Sequence, residues 1–348
     1  MRVSTILVAS AAVLVAAHPG HDPQNEVLQR REFISNSKRF DLSHCSAKLK
    51  ARGVEQRATM RRRALHDARS KPGIVRRDVS DKNKSHLSNA LYNTETALDV
   101  IFSSNTSCLL SPEVTEGPYY VAGEYIRQNI VEEEQGVPLT LDIAIYDVDT
   151  CEPISGAWVE IWHCNATGVY SGVPSGADYS DAPENLDTTF LRGFQETDDD
   201  GAISFDTIYP GHYTGRTQHI HVMVHHDATP RANLTIEDSS ASHVGQLFFD
   251  QDLSDSVESI SPYSTNTQEI TTNADDMVID ESLANGDAIA EYVLLGETVS
   301  DGVLAWISFG VNTTYASNVR TAATYYEEGG VANENNDVPA DFPGGSKH

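Results

Sequence analysis

The chain has 348 residues, with 24 Lys and Arg against 51 Asp and Glu and a formal net charge of -27 at pH 7. That length is enough for a large buried core, and that charge excludes nucleic acid and anionic membrane surfaces as natural partners. The balance is uneven: residues 1–90 hold 18 basic and 8 acidic side chains, which leaves 6 basic against 43 acidic in 91–348.

Residues 1–17 read as a secretory signal. Arg2 supplies the positive start, Ile6 to Val15 a short apolar run, and Val15-Ala16-Ala17 a small-residue cleavage site. The run is too short to span a bilayer, and no later one is long enough. Export and an extracellular location follow as expectations. Sequons at Asn83, Asn105, Asn165, Asn233 and Asn312 fit that route. Residues 18–90 are basic, with Arg30-Arg31, Arg61-Arg62-Arg63 and Arg76-Arg77, and lack sustained apolar periodicity. Two readings stand: a pro-segment cut after a dibasic pair, or a helical arm that neutralises the acidic body. Four cysteines, Cys45, Cys108, Cys151 and Cys164, make an even set for an oxidising compartment. None has C-x-x-C spacing, which disfavours zinc. Cys108–Cys151 is the expected pair, since each sits beside a strand end.

From about residue 108 the pattern is β. Leu139, Leu141, Ile143 and Ile145 alternate with Thr140, Asp142, Ala144 and Tyr146. Val159 and Ile161 alternate with Trp158, Glu160 and Trp162; Ile203, Phe205 and Thr207 follow a turn at Asp200-Gly201; Val303 to Val311 form a late strand. Turn residues at short spacing predict an all-β sandwich over 91–326, behind a poorly structured or helical N-terminal arm. Residues 327–348, rich in Gly, Asn, Glu and Pro, are expected to be disordered. Asp198-Asp199-Asp200-Gly201 lacks the ligand spacing of a calcium loop and reads as a hairpin turn.

The chemistry-bearing segment is Gly215-Arg216-Thr217-Gln218-His219-Ile220-His221-Val222-Met223-Val224. On a strand, His219 and His221 project from one face while Ile220, Val222 and Val224 enter a core. One metal ion can then take both imidazoles. On a helix the two rings would point about 200° apart. Upstream lie Glu116-Gly117-Pro118-Tyr119-Tyr120, Trp162-His163-Cys164-Asn165-Ala166-Thr167-Gly168-Val169-Tyr170-Ser171 and Pro210-Gly211-His212-Tyr213.

In order and spacing these runs closely resemble the intradiol ring-cleavage dioxygenases, above all their extracellular fungal branch, over roughly residues 108–250. The resemblance implies a non-haem Fe(III) cofactor held by Tyr170, Tyr213, His219 and His221, with Tyr170 the equatorial and Tyr213 the axial phenolate. Hard, anionic oxygen donors beside imidazole suit ferric iron. It further implies a catecholic substrate that binds through both oxygens, displaces Tyr213, and is opened by O2 to a cis,cis-muconate-type dicarboxylate. Arg216 matches the arginine that stabilises charge on the ring. Gln246 matches a glutamine that helps orient substrate, and Tyr119 and Tyr120 line the pocket. His163 reads as a supporting or packing residue. The acidic body disfavours a carboxylated substrate unless Arg192, Arg216 or Arg231 compensates. Two other classes compete: a copper histidine brace on a mature N-terminal His18, and a metal-free β-sandwich binding module. Metal analysis and oxygen uptake with catechol discriminate them.

Overall fold

The computed structural model describes residues 42–70, 107–109, 119–174, 183–226, 228–236, 240–241, 243–283, 286–314, 317–319 and 321–333. Two sheets face each other across one apolar core, as the alternating sequence predicts. The first combines β1 (Ser107–Leu109), β4 (Pro138–Asp147), β7 (Ala202–Ile208), β12 (Glu291–Leu294) and β13 (Val303–Val311). Central β13 runs parallel to β4 on one side; on the other it pairs with β12 and then β1. The second sheet has the order β11 (His243–Phe248), β8 (His219–His225), β5 (Trp158–Trp162) and β6 (Arg192–Glu196), all antiparallel. Smaller pairings complete the fold: β2 (Val121–Ala122) with β15 (Ala323–Tyr326) and β16 (Gly329–Ala332), β3 (Glu124–Tyr125) with β9 (Thr235–Ile236), and β10 (Ser240–Ala241) with β14 (Ser317–Asn318).

The core is made by the residues whose period of two marked them. Leu139, Leu141, Ile143, Ile145, Phe205, Ile307 and Phe309 of the first sheet meet Val159, Ile161, Ile220, Val222, Val224 and Leu247 of the second. A strand shows its alternate residues to opposite faces. The two sheets therefore present two further faces, pointing away from the core, and each is covered differently.

The outer face of the first sheet is covered by α1 (Ser46–Ala51) and α2 (Val54–Arg69). The residues of α2 turned inward recur at 54, 57, 58, 61, 62, 65, 66 and 69, a helical repeat. Most are not apolar. Arg57 pairs with Asp200 at 2.7 Å, Arg61 with Asp142 at 2.6 Å, and Arg69 with Asp206 at 2.8 Å. Arg62 reaches Asp142 at 3.1 Å and lies 5.2 Å over the Trp306 ring. An arginine-faced helix carries no hydrophobic periodicity, which is why none shows in the sequence. Of the two readings of the basic segment, residues 42–70 form the packed arm; Arg76-Arg77 lies outside the described residues. Leu42, Cys45, Leu49 and Val54 complete the seal against Ala144, Tyr146 and Val148.

Three expectations are corrected here. The disulfide joins Cys151 to Cys45, not to Cys108, with a sequence separation of 106. Docking of the arm brings Cys45 to the end of β4, a tertiary effect that strand-end position cannot register. Cys164 is a buried free thiol, donating to the Gly211 carbonyl at 3.3 Å. The chain also stays ordered past Glu327: Gly329–Ala332 pairs antiparallel with β15, while residues 334–348 lie outside the described set. A turn forms at Asp200-Gly201, with Gly201 at φ +69 and the Asp198 carboxylate accepting from the Asp200 and Ala202 amides, but it is not the expected hairpin: it carries the chain from β6 of the second sheet to β7 of the first. No helix among the described residues is long and apolar enough to cross a membrane.

Candidate metal centre

The outer face of the second sheet carries the predicted donors. Antiparallel register sets Arg192 of β6, Trp162 of β5, His221 of β8 and Gln246 of β11 in one row across all four strands. His219 lies two residues from His221 on the same face. The Trp162 and His221 rings stack, with centroids 4.7 Å apart and 7° between planes. His219 Nδ1 donates to the Thr217 carbonyl at 2.6 Å, which fixes its tautomer and leaves the Nε2 lone pair turned to the site.

The tyrosines arrive on loops that two glycines allow to pack backbone on backbone. A Cβ on Gly168 would lie 2.4 Å from the His212 carbonyl, and one on Gly211 would lie 2.4 Å from the Asn165 carbonyl. Gly168, at φ +85, also makes the turn that precedes Tyr170. Asn165 serves this turn: its Oδ1 accepts from the Thr167 and Val169 amides and the Thr167 hydroxyl. Tyr213 is presented by a tight turn closed by Arg216 N–H to the Tyr213 carbonyl at 3.1 Å.

The four side chains converge. The Tyr170 hydroxyl is 3.4 Å from His219 Nε2 and 3.3 Å from His221 Nε2, and the Tyr213 hydroxyl is 3.3 Å from His219 Nε2. These separations suit one shared ion, because metal–N and metal–O bonds of about 2.0–2.2 Å put neighbouring donors roughly 3.0–3.5 Å apart. As hydrogen bonds they are long, and a single Tyr170 proton faces two imidazole nitrogens. Burial pushes the Tyr170 phenol well above the usual tyrosine range, with Tyr213 adding to it. Burial likewise raises Tyr213, against the pull of Arg216. Phenols this deep ionise only beside a cation, so the donor set fits a highly charged metal such as Fe(III). Tyr213 keeps 7% of its surface exposed and Tyr170 none, which makes Tyr213 the phenol nearer the exterior. The other His/Cys cluster among the described residues, His44 with Cys45 and Cys151, has both sulfurs consumed by the disulfide.

Around the donors, Arg216 donates from Nε to Asp276 at 3.0 Å and from Nη2 to Gln246 Oε1 at 2.5 Å. Both predicted residues are therefore at the site, and Gln246 reaches it by register opposite His221. Asp276 escaped the sequence reading. It lies 60 residues from Arg216 in a segment without motif, and accepts from the Thr217 amide at 2.9 Å and the Val278 amide at 2.7 Å. It thereby caps α3 (Met277–Leu283) while fixing the guanidinium. Tyr119 stacks on Tyr170, with centroids 4.5 Å apart, and meets Tyr213 edge-on at 6.1 Å. Tyr120 is one layer back, against Trp162 at 5.2 Å.

His163 plays the supporting role expected. Nδ1 donates to the Cys164 carbonyl and Nε2 accepts from Thr207 Oγ1, each at 2.8 Å, and burial pushes its pKa down to about 4. Arg192 is wholly buried and committed to Ser171 and Glu124, so it does not serve as a substrate clamp. Arg231 sits exposed on the turn leading to β9. His18 lies outside the described residues.

Comparisons with known proteins agree with this arrangement. A family described as Dioxygenase matches residues 115–292. Catechol 1,2-dioxygenase 1 of Acinetobacter lwoffii is 30% identical over 144 residues, 34% of this chain and 43% of that protein. Catechol 1,2-dioxygenase of Candida albicans is 30% identical over 139 residues, 38% of this chain and 43% of that one. The chain thus spans less than half the length of these curated relatives. Among solved structures, an intradiol ring-cleavage dioxygenase from Tetranychus urticae is 34% identical, with a TM-score of 0.51, covering 61% of this chain and 98% of its own. With that relative matched almost end to end and just over half the chain falling within one family, the protein belongs to the intradiol ring-cleavage dioxygenases.

Proposed function

We propose that the protein is an exported non-haem Fe(III) dioxygenase that opens catechol-type rings between the two hydroxylated carbons with O2, yielding cis,cis-muconate-type products. The observation that carries this reading is the convergence of two buried phenol oxygens and two imidazole nitrogens at 3.3–3.4 Å. When bound, a ferric ion supplies a Lewis acid that holds both diol oxygens and makes the ring reactive toward O2.

The chain's own residues divide the rest of the work. Tyr170, unexposed and set between both imidazoles, is the permanent phenolate. Tyr213, nearer the exterior and held on a short turn, would hold the ion as the second phenolate, and its oxygen would be placed to take a proton from a diol hydroxyl. His219 and His221 stay fixed by the Thr217 carbonyl and the Trp162 ring. Arg216, aimed by Asp276 and Gln246, places a cation where the ring gathers negative charge. Tyr119 forms the aromatic wall beside both phenols.

The charge environment narrows the substrate class. Arg192 is wholly buried and Arg216 is held by Asp276 and Gln246, and the body is acidic, so the reading favours a catechol without a carboxylate. The signal-like first 17 residues and the Cys45–Cys151 bridge support export, since disulfides persist in oxidising compartments.

The test is a visible spectrum of the purified, iron-loaded protein before and after anaerobic catechol addition, followed by oxygen uptake. A phenolate-to-iron band that changes when catechol binds, with one O2 consumed per ring, is expected. A colourless protein that takes up no oxygen with catechol would remove the reading and leave a binding module.

A further inference from the structure

Arg192 has no place in the chemistry above, yet its burial is complete and its neighbours are unusual. It ends the cross-strand row that runs through Trp162 and His221 to Gln246. Its Nε donates to Ser171 Oγ at 2.9 Å and to the Ser171 carbonyl at 3.2 Å, and its Nη2 donates to that carbonyl at 2.7 Å. Ser171 directly follows Tyr170. Asn185 Nδ2 donates to the Tyr170 carbonyl at 2.5 Å, so two successive carbonyls beside the phenol are held, Tyr170's by Asn185 and Ser171's by Arg192. The Ser171 hydroxyl is itself anchored, donating to the Phe190 carbonyl at 2.6 Å.

The guanidinium carbon also lies 6.0 Å over the Tyr170 ring. Glu124 lies 3.8 Å from it, with neither side chain exposed to solvent, and burial pushes that carboxyl up to about 8 against the pull of the arginine. Glu160, on the neighbouring strand and equally buried, adds a second carboxylate that meets His225 at 3.3 Å. A buried cation is costly unless paired and hydrogen-bonded. A leucine would fill the position without that cost but would neither clamp Ser171 nor place charge on the Tyr170 ring face.

Resting on the proposed iron reading, we propose that Arg192 is a positioning residue for Tyr170: it clamps the main chain beside the phenol and sets a fixed positive charge on the ring face. The two parts have separable signatures. A cation on the ring face lowers the energy of phenolate electrons and raises the energy needed to move one to the metal. Its loss moves the phenolate-to-iron band to longer wavelength. The clamp needs the planar fork, which lysine lacks, so its loss appears as faster release of iron.

The experiment compares iron-loaded wild type, Arg192→Gln and Arg192→Lys by band position and by the rate of iron loss to a chelator. Arg192→Gln is expected to show a longer-wavelength band and iron loss about tenfold faster, in the range of other ligand-supporting contacts. Arg192→Lys should keep the wild-type band while releasing iron about as fast as Arg192→Gln. An Arg192→Gln protein with wild-type band and release rate overturns the inference while leaving the iron reading intact; a colourless wild type overturns both. If Arg192→Gln does not fold, Ser171→Ala decides, because it removes one acceptor of the clamp: iron loss faster by about threefold supports the inference, and an unchanged rate overturns it.

Discussion

The two outer faces of the sandwich both gather polar groups and resolve them in opposite ways. On the first sheet, acidic Asp142, Asp200 and Asp206 are met by four arginines of the docked arm, two of them on Asp142. On the second, Tyr170, Tyr213, His219 and His221 turn oxygen and nitrogen lone pairs on one another. Opposite charges that satisfy each other close a surface. Like donors that converge leave a place for something else. The contrast separates a face that stabilises from a face that works, and the second is the more deeply hidden from solvent.

The sharpest break of this comparison is His221→Ala. It should empty the centre and lower ring cleavage by at least about a thousandfold, since a ligand costs more than the 10–100-fold typical of its supporting contacts. Chemical denaturation should show the arm and sandwich unfolding much as before; retained iron and activity would refute the ligand assignment. The mirror experiment is Asp142→Ala, which leaves Arg61 and Arg62 facing a sheet without their carboxylate. A broken buried pair costs about 3–5 kcal/mol. Stability should fall by that order, with iron content per folded molecule unchanged.

Smaller again is Asp276→Asn. It keeps the cap on α3 but removes the charge that fixes Arg216, so turnover should drop about 10–100-fold without loss of metal. An equal loss of iron would show that Asp276 serves the fold more than the guanidinium.

Last comes acid. Burial holds His163 down at about 4 and His243, with His226 adding to the effect, at about 3. Unfolded histidine titrates near 6.5. The unfolded chain therefore binds more protons below that pH, and the stability these residues contribute is complete above about 6.5 and is lost as pH falls toward 4 and then 3. Thermal melts should decline over this window, and His163→Gln should flatten the part between about 6.5 and 4. An identical slope in that variant would assign the acid loss elsewhere.

The strands and the ligand row were largely legible in the sequence because both are local. Period-two patterning set Leu139 to Ile145 and Ile220 to Val224 into the core, and the same alternation turned His219 and His221 together. Convergence with Tyr170 and Tyr213 was readable through motif resemblance, and the glycines at 168 and 211 give it a physical cause. What escaped depends on tertiary docking. The arm's face is written in arginine, so hydrophobic periodicity does not reveal it, and Cys45 reaches Cys151 only once that arm is seated. Asp276 lies in a stretch with no recognisable spacing. Gly329–Ala332 is poor in strand-forming side chains and becomes a strand because β15 offers it an edge.

The bridge between Cys45 and Cys151 turns the chain between them into a closed covalent circle, with the ion-paired helix inside it. A single peptide-bond cut anywhere along that circle would open it without releasing either part. Nicked protein would migrate as one species under non-reducing conditions and as two after reduction, and its arginine-clad helix would stay tethered through the sulfur link.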